Sequence, residues 1–161
     1  MQNKLRIEKK DIYQIEVNDK GEYIEFDLAD INLSFKCMEA LESIEKLKKE
    51  SLMKENIIKK KQDVKDKYMT RNQKELLKLW KKTFEDMRKA MDKFLGEGAC
   101  QKIFGDRNYL EMFDDLVQEL KRPREELGGK SHFDNLNLTF EGMRDRIAKK
   151  YDNMKDKEGV I

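Results

Sequence analysis

LLKLWKKTFEDMRKAMDKFL, residues 76–95, carries the strictest pattern in the chain. Leu77, Trp80, Phe84, Met87, Met91 and Phe94 follow one another at steps of three and four, the spacing that keeps apolar side chains on one helical face and packs it along another helix. Leu76 and Leu95 widen the stripe at its ends. The spacing predicts core and not a ligand box. Gly96-Glu97-Gly98 stops the helix, since glycine is costly inside a helix and favourable just beyond its end. On the other side Met69-Thr70-Arg71-Asn72 supplies Thr70 or Asn72 as a capping side chain.

Upstream of that stretch, Leu33, Phe35, Met38, Leu41, Ile44 and Leu47 recur at roughly helical spacing. No Gly or Pro occurs between Gly21 and Gly96. The reading is therefore two long helices joined by a tight turn near residues 69–72. Before Asp30 the period drops to two: Leu5 and Ile7, then Tyr13, Ile15 and Val17, then Ile24, Phe26 and Leu28. Three short strands follow from this, with Asn18-Asp19-Lys20-Gly21 as the hairpin turn between the second and third. So small a sheet has one apolar face to bury and must lie on helices.

Downstream, apolar residues continue the helical pattern: Ala99, Cys100, Ile103 and Phe104 form a short apolar patch ended by Gly105. Asp106 or Asn108 is the expected cap of a further helix with Tyr109, Leu110, Phe113, Leu116, Val117 and Leu120 inward, closed by Arg122-Pro123. Gly128-Gly129-Lys130-Ser131 lacks the earlier glycine and the strand that a phosphate loop needs, so it reads as a loop between helices. A last amphipathic helix is expected from about Thr139, using Phe140, Met143, Ile147, Tyr151 and Met154. The expected fold is mainly α with a small N-terminal antiparallel β-hairpin or sheet, its long amphipathic helices packed as a helical body. One domain is expected over 1–161: β region 1–29, helical body 30–121, linker 122–135 and C-terminal helix 136–161.

The 161 residues are 42% charged and 38% hydrophobic, so a core forms only if the apolar residues are concentrated on a few faces. No apolar run is long enough for a membrane span, and Met1 to Lys10 is too charged for a secretory leader, so a cytoplasmic protein is expected. Cys37, Cys100 and the one histidine, His132, match neither a zinc cluster nor a nucleophile signature. Both cysteines read as small buried or half-buried thiols. No catalytic residue, cofactor or metal site is expected, and the chain does not read as an enzyme.

Net charge is −5 over residues 1–45, +9 over 46–95 and −2 over 96–161. The basic excess is densest from Lys46 to Lys67, where Glu45, Glu50, Glu55, Asp63 and Asp66 are interspersed and arginine is absent. That pattern suits a solvated helix face better than a phosphate-binding one, which makes nucleic acid a poor partner. Within the same segment, Leu52-Met53 and Ile57-Ile58 spread apolar surface over a stripe wider than one neighbour covers. Leu52, Met53, Ile57 and Ile58 are the candidate protein-binding residues, for self-association or for another protein. The nine methionines include Met38, Met53, Met69, Met87 and Met91 on the central helices, where flexible thioethers suit core filling or an adaptable apolar surface.

The order of parts, with Ile24-Glu25-Phe26-Asp27-Leu28-Ala29-Asp30 closing the strand region and Cys100-Gln101-Lys102-Ile103-Phe104-Gly105-Asp106 preceding Leu110, Phe113 and Leu116, resembles the tail assembly chaperones of long-tailed phages and prophages of low-GC Gram-positive bacteria. The resemblance spans about residues 20–121, with the charged stretch Lys46 to Lys67 standing out as an insertion. It implies a protein without nucleophile or cofactor that keeps the long, helical tape measure protein soluble in the host cytoplasm while tail tube subunits assemble, the tail tube protein being a further candidate partner. It also implies release once assembly is complete. A structural virion or connector protein and a lysine-rich nucleic-acid-binding regulator are the competing readings.

Overall fold

A computed structural model describes residues 3–9, 11–138, 141, 142, 144, 145, 147–149 and 152. The chain is mainly helical, with an N-terminal antiparallel hairpin. Two compact units are formed, one from Met1–Lys36 with Gln101–Ile161, the other from Cys37–Cys100.

In the first unit, β1 (Ile12–Glu16) pairs antiparallel with β2 (Tyr23–Asp27), Ile15 opposite Ile24 and Tyr13 opposite Phe26. The turn forms where its chemistry predicts. The Asn18 side-chain oxygen accepts from the backbone N–H groups of Lys20 (2.9 Å) and Glu22 (3.3 Å), and Gly21 takes φ 75°. Ile24 and Phe26 are buried. The expected first strand is corrected: residues 3–9 have no regular structure, and Leu5 and Ile7 are 94% and 86% exposed. Alternation alone made no strand, because nothing among the described residues pairs with it.

The segment 101–104 ends α3 (Ala99–Phe104), and α4 (Met112–Lys121) follows. Gly105 at φ 64° lets the chain turn while Phe104 packs edge-on against Phe113 (5.8 Å between centroids) and Tyr109 (6.3 Å). Neither Asp106 nor Asn108 caps α4. The helix starts later than expected, after Glu111, with no side-chain cap, and Leu110 is exposed. Met112, Phe113, Leu116 and Leu120 form its buried face, and Arg122 turns extended before Pro123.

The expected linker 122–135 is also corrected. Its polar composition hides a short 3₁₀ turn (Glu125–Leu127), closed by Gly128 at φ 68°, and then α5 (His132–Leu136). Ser131 accepts from the Asp134 N–H while the Asp134 carboxylate accepts from the Ser131 N–H, a reciprocal cap on α5. This segment is fastened to the hairpin, since His132 Nδ1 and the Asn135 amide both meet Tyr13 Oη, at 2.8 and 3.1 Å. Phe140, Met143, Tyr151 and Met154, on which the expected C-terminal helix rests, lie outside the described residues. The described ones from 141 to 152 are helical, with Ile147 exposed.

In the second unit, the part of α1 (Leu33–Lys59) from Cys37 onward pairs with α2 (Arg71–Leu95). Thr70 caps α2 as expected: its Oγ1 accepts from the Gln73 N–H, and the Gln73 side chain accepts from the Thr70 N–H. The tight turn is corrected to a longer connection, residues 60–70, because α1 ends at Lys59. Within α1 the buried face keeps Leu33 and Ile44 of the expected large residues but not Phe35 or Met38. Cys37, Ala40, Ile44 and Ser51 are buried, whereas Phe35 and Met38 are about half exposed. Residues 37, 40, 44 and 51 keep true helical phase; 35 and 38 fall on the far side. In α2, Phe84, Met87, Met91, Phe94 and Leu95 are buried and Trp80 is half-buried, but Leu77 is 59% exposed, against the expectation that the whole stripe is core.

Candidate protein-binding surface

Two contacts set how α1 and α2 face each other. Ser51 Oγ and Thr83 Oγ1 lie 2.5 Å apart and are buried, and Thr83 donates its proton to the Leu79 carbonyl at 2.8 Å. Ser51 is therefore the donor to Thr83, and neither hydroxyl is left unsatisfied. One turn further on, Trp80 Nε1 donates to Glu55 at 3.3 Å. Ser51 and Glu55 thus mark the inward face of α1. Ile58, in phase with both, falls on that face and is half-buried.

The other three candidate residues point elsewhere. Leu52 lies about 100° around the helix from Ser51 and Met53 about 200°, with Ile57 one turn beyond Met53 on the same line. They are 50%, 67% and 60% exposed. The structure therefore brings Met53 and Ile57 together on an outward face, leaves Leu52 at its side and withdraws Ile58. Reading the sequence missed two further exposed apolar residues in this part of the unit, Val64 and Tyr68, and placed a third, Leu77, in the core. Val64 and Tyr68 were detectable as lone apolar residues in a charged run, with no partner at helical spacing.

The connection that carries them is held by its own hydrogen bonds. The Asn72 amide donates to the Lys61 carbonyl (2.9 Å), the Arg71 N–H to Val64 (2.9 Å), and Asp63 accepts from the Asn72 N–H at 3.1 Å. The Thr70 hydroxyl and then the Asn72 N–H hold the Asp63 carboxyl below its ordinary range, so Asp63 stays ionised at the positive end of α2. The loop is thus ordered by backbone bonds and by the Asn72 and Asp63 side chains, while Val64 and Tyr68 face water.

From Leu52 to Lys82 there are eleven basic residues against four acidic ones. Lys59 pairs with Glu55, Lys61 with Glu75, Lys74 with Asp66 and Lys82 with Asp86. Hydrogen bonding to Lys74 lowers the Asp66 pKa, and the Asp86 hydrogen bond raises that of Lys82. Lys54, Lys60, Lys65, Lys78 and Lys81 make no ion pair among the described residues. The end of the helix pair therefore joins exposed aliphatic side chains to a surplus of lysine, a combination that fits an amphipathic protein segment with acidic flanks.

Among the described residues, no three His, Cys, Asp or Glu side chains gather as a metal site, and no helix is long and apolar enough to cross a membrane. Cys37 and Cys100 are both buried. Burial, with the Asp92 carboxylate beside it, pushes the Cys100 thiol far up, which makes it a poor nucleophile. No protein-family model, curated protein or solved structure matches this chain.

Proposed function

We propose that this chain is a non-enzymatic tail assembly chaperone of a long-tailed phage or prophage, and that it keeps a tape measure protein soluble by covering amphipathic helical segments with the end of the α1–α2 pair. The observation that carries the reading is the exposure of Leu52, Met53 and Ile57 on the lysine-rich half of α1. The client class comes from the resemblance carried by the Cys100–Asp106 segment and the helix that follows it. Apolar contact supplies the holding energy, and unpaired lysines steer acidic flanks toward the surface. Such contacts are weak one by one, so tail tube subunits can displace the chaperone as they assemble around the client.

Co-expression tests this. The long helical client, insoluble alone, should become soluble with the wild-type chain, and Met53→Glu with Ile57→Glu should abolish the rescue while leaving the melting temperature nearly unchanged. Moderate salt should slow association and spare most of the affinity. A client that stays insoluble beside equal amounts of wild-type chain rejects the chaperone reading. Retention of the chain in finished tails points to a structural component. Steeply salt-dependent binding to duplex DNA points to a regulator.

A further inference from the structure

The hairpin has one open edge. Backbone bonds from Val17 to Glu22 (3.0 Å) and from Leu28 to Asp11 (2.8 Å) show that the odd-numbered residues of β1 point their polar groups at β2. Ile12, Gln14 and Glu16 therefore point theirs outward, and no hydrogen bond among the described residues uses them. The outer edge of β2 is partly taken: the Tyr23 carbonyl accepts from Lys102 Nζ (3.3 Å) and the Asp27 carbonyl from the Asp30 N–H (3.0 Å). An unprotected edge of this kind is a template for another strand.

The same unit carries a strand-patterned segment with no strand partner among the described residues. Lys4-Leu5-Arg6-Ile7-Glu8 alternates charged and aliphatic residues, and its two aliphatic side chains are almost wholly in water. Folding it back onto β1 of its own chain would require a reversal within Lys9-Lys10-Asp11, which holds no glycine or asparagine to take the positive φ of a tight hairpin. A cavity of about 170 Å³ opens beside β1, lined by Ile15, Val17, Ile24, Leu116, Leu120 and His132 among others.

We propose that residues 4–8 of a second copy of this chain add to the open edge of β1 as an antiparallel strand, so that two copies exchange strands reciprocally. Leu5 then stands opposite Ile15 over the cavity, and Ile7 opposite Tyr13, both on the apolar face of the sheet. On the outer face Lys4 stands opposite Glu16 and Arg6 opposite Gln14, beside the acidic Glu16 and Glu25, so the charges as well as the apolar side chains match in this register. Each copy supplies one strand and one edge, and the exchange closes as a two-fold dimer. The dimer leaves Leu52, Met53 and Ile57 out of the contact, and it is independent of the chaperone reading.

Light scattering on the full chain should give twice 19.3 kDa, and Leu5→Asp with Ile7→Asp should weaken the dimer at least tenfold. Because both side chains are exposed in the single chain, that variant should still fold, with circular dichroism dominated by helix, and it should lose the concentration dependence that association gives the wild-type melting temperature. Met53→Glu with Ile57→Glu should remain dimeric. Leu5 and Ile15 would form a non-hydrogen-bonded pair, whose close Cβ atoms suit a disulfide, so mixing the single variants Leu5→Cys and Ile15→Cys under oxidation should yield a covalent heterodimer. A monomeric wild type at high concentration overturns the proposal, as does a dimer indifferent to the Leu5 and Ile7 changes. A disulfide that closes within one Leu5→Cys/Ile15→Cys chain, leaving it monomeric, overturns it too.

Discussion

The two halves of α2 carry one uninterrupted three-four stripe and meet different fates. From Phe84 onward, Met87, Met91 and Phe94 are 1–5% exposed, whereas Leu77, in the same phase, is 59% exposed and Trp80 only half covered. Periodicity therefore says which face of a helix is apolar but not how far along the helix that face is covered. The covered half contributes stability, and the uncovered half is available for partners.

Paired substitutions test this contrast directly. Phe84→Ala should cost about 3–5 kcal/mol, as for other buried aromatics. Leu77→Ala should stay within about 0.5 kcal/mol, since it removes a side chain already in water. Chemical denaturation measures both, and equal costs would mean that the two halves do not differ.

The next effect concerns the buried hydroxyl pair. Thr83→Val strands the Ser51 hydroxyl and should cost about 1–3 kcal/mol. Adding Ser51→Ala should recover much of that loss, because no orphaned polar group remains. A double-mutant cycle without coupling would show that the pair does not link α1 to α2.

Thr70→Ala removes the reciprocal cap at the uncovered end and should cost about 1 kcal/mol. Hydrogen exchange should localise the loosening to the first turn of α2. Protection loss centred instead on Met87 to Leu95 would mean that the two halves melt as one.

The smallest effect lies in the hairpin latch. Burial first, and then the Arg124 guanidinium, hold the His132 pKa below its ordinary 6.5, against a smaller opposing pull from Glu126. His132 Nδ1 and the Tyr13 hydroxyl share a hydrogen bond of 2.8 Å. With the folded pKa depressed, the unfolded chain takes up the proton first as pH falls. Stability is thus complete above pH 6.5 and declines from there as pH falls through the folded pKa. Melting temperatures from pH 7.5 to 5 should show this decline, and His132→Gln should flatten it. The effect is modest because the ring is partly solvated.

How much was legible follows from how far along the chain each cause acts. The Asn18–Gly21 turn, the Thr70 cap, the glycine stop at Gly96 and the closure at Arg122-Pro123 depend on side chains within a few residues of the backbone they shape. All four could be read from the residues alone. The polar run 122–135 was legible only in its Ser131–Asp134 cap, which is local; its attachment to Tyr13, more than a hundred positions away, was not. The candidate surface was half legible: Leu52, Met53 and Ile57 are exposed where the apolar doublets pointed, but Ile58 turns inward and Leu77 outward.

By itself the sequence determined the hairpin and the helices on either side of residues 60–70, the Asn18–Gly21 turn, the Thr70 cap and the concentration of lysine on the central helices. These are local quantities, set by backbone torsions, capping hydrogen bonds and composition. Only the tertiary structure decided that α1 buries Cys37, Ala40 and Ser51 in place of Phe35 and Met38, that Leu5 and Ile7 stay unpaired, and that the apolar stripe of α2 is covered over one half. Burial is a property of neighbours brought together across the chain, and hydrophobicity along one segment does not state which neighbours arrive.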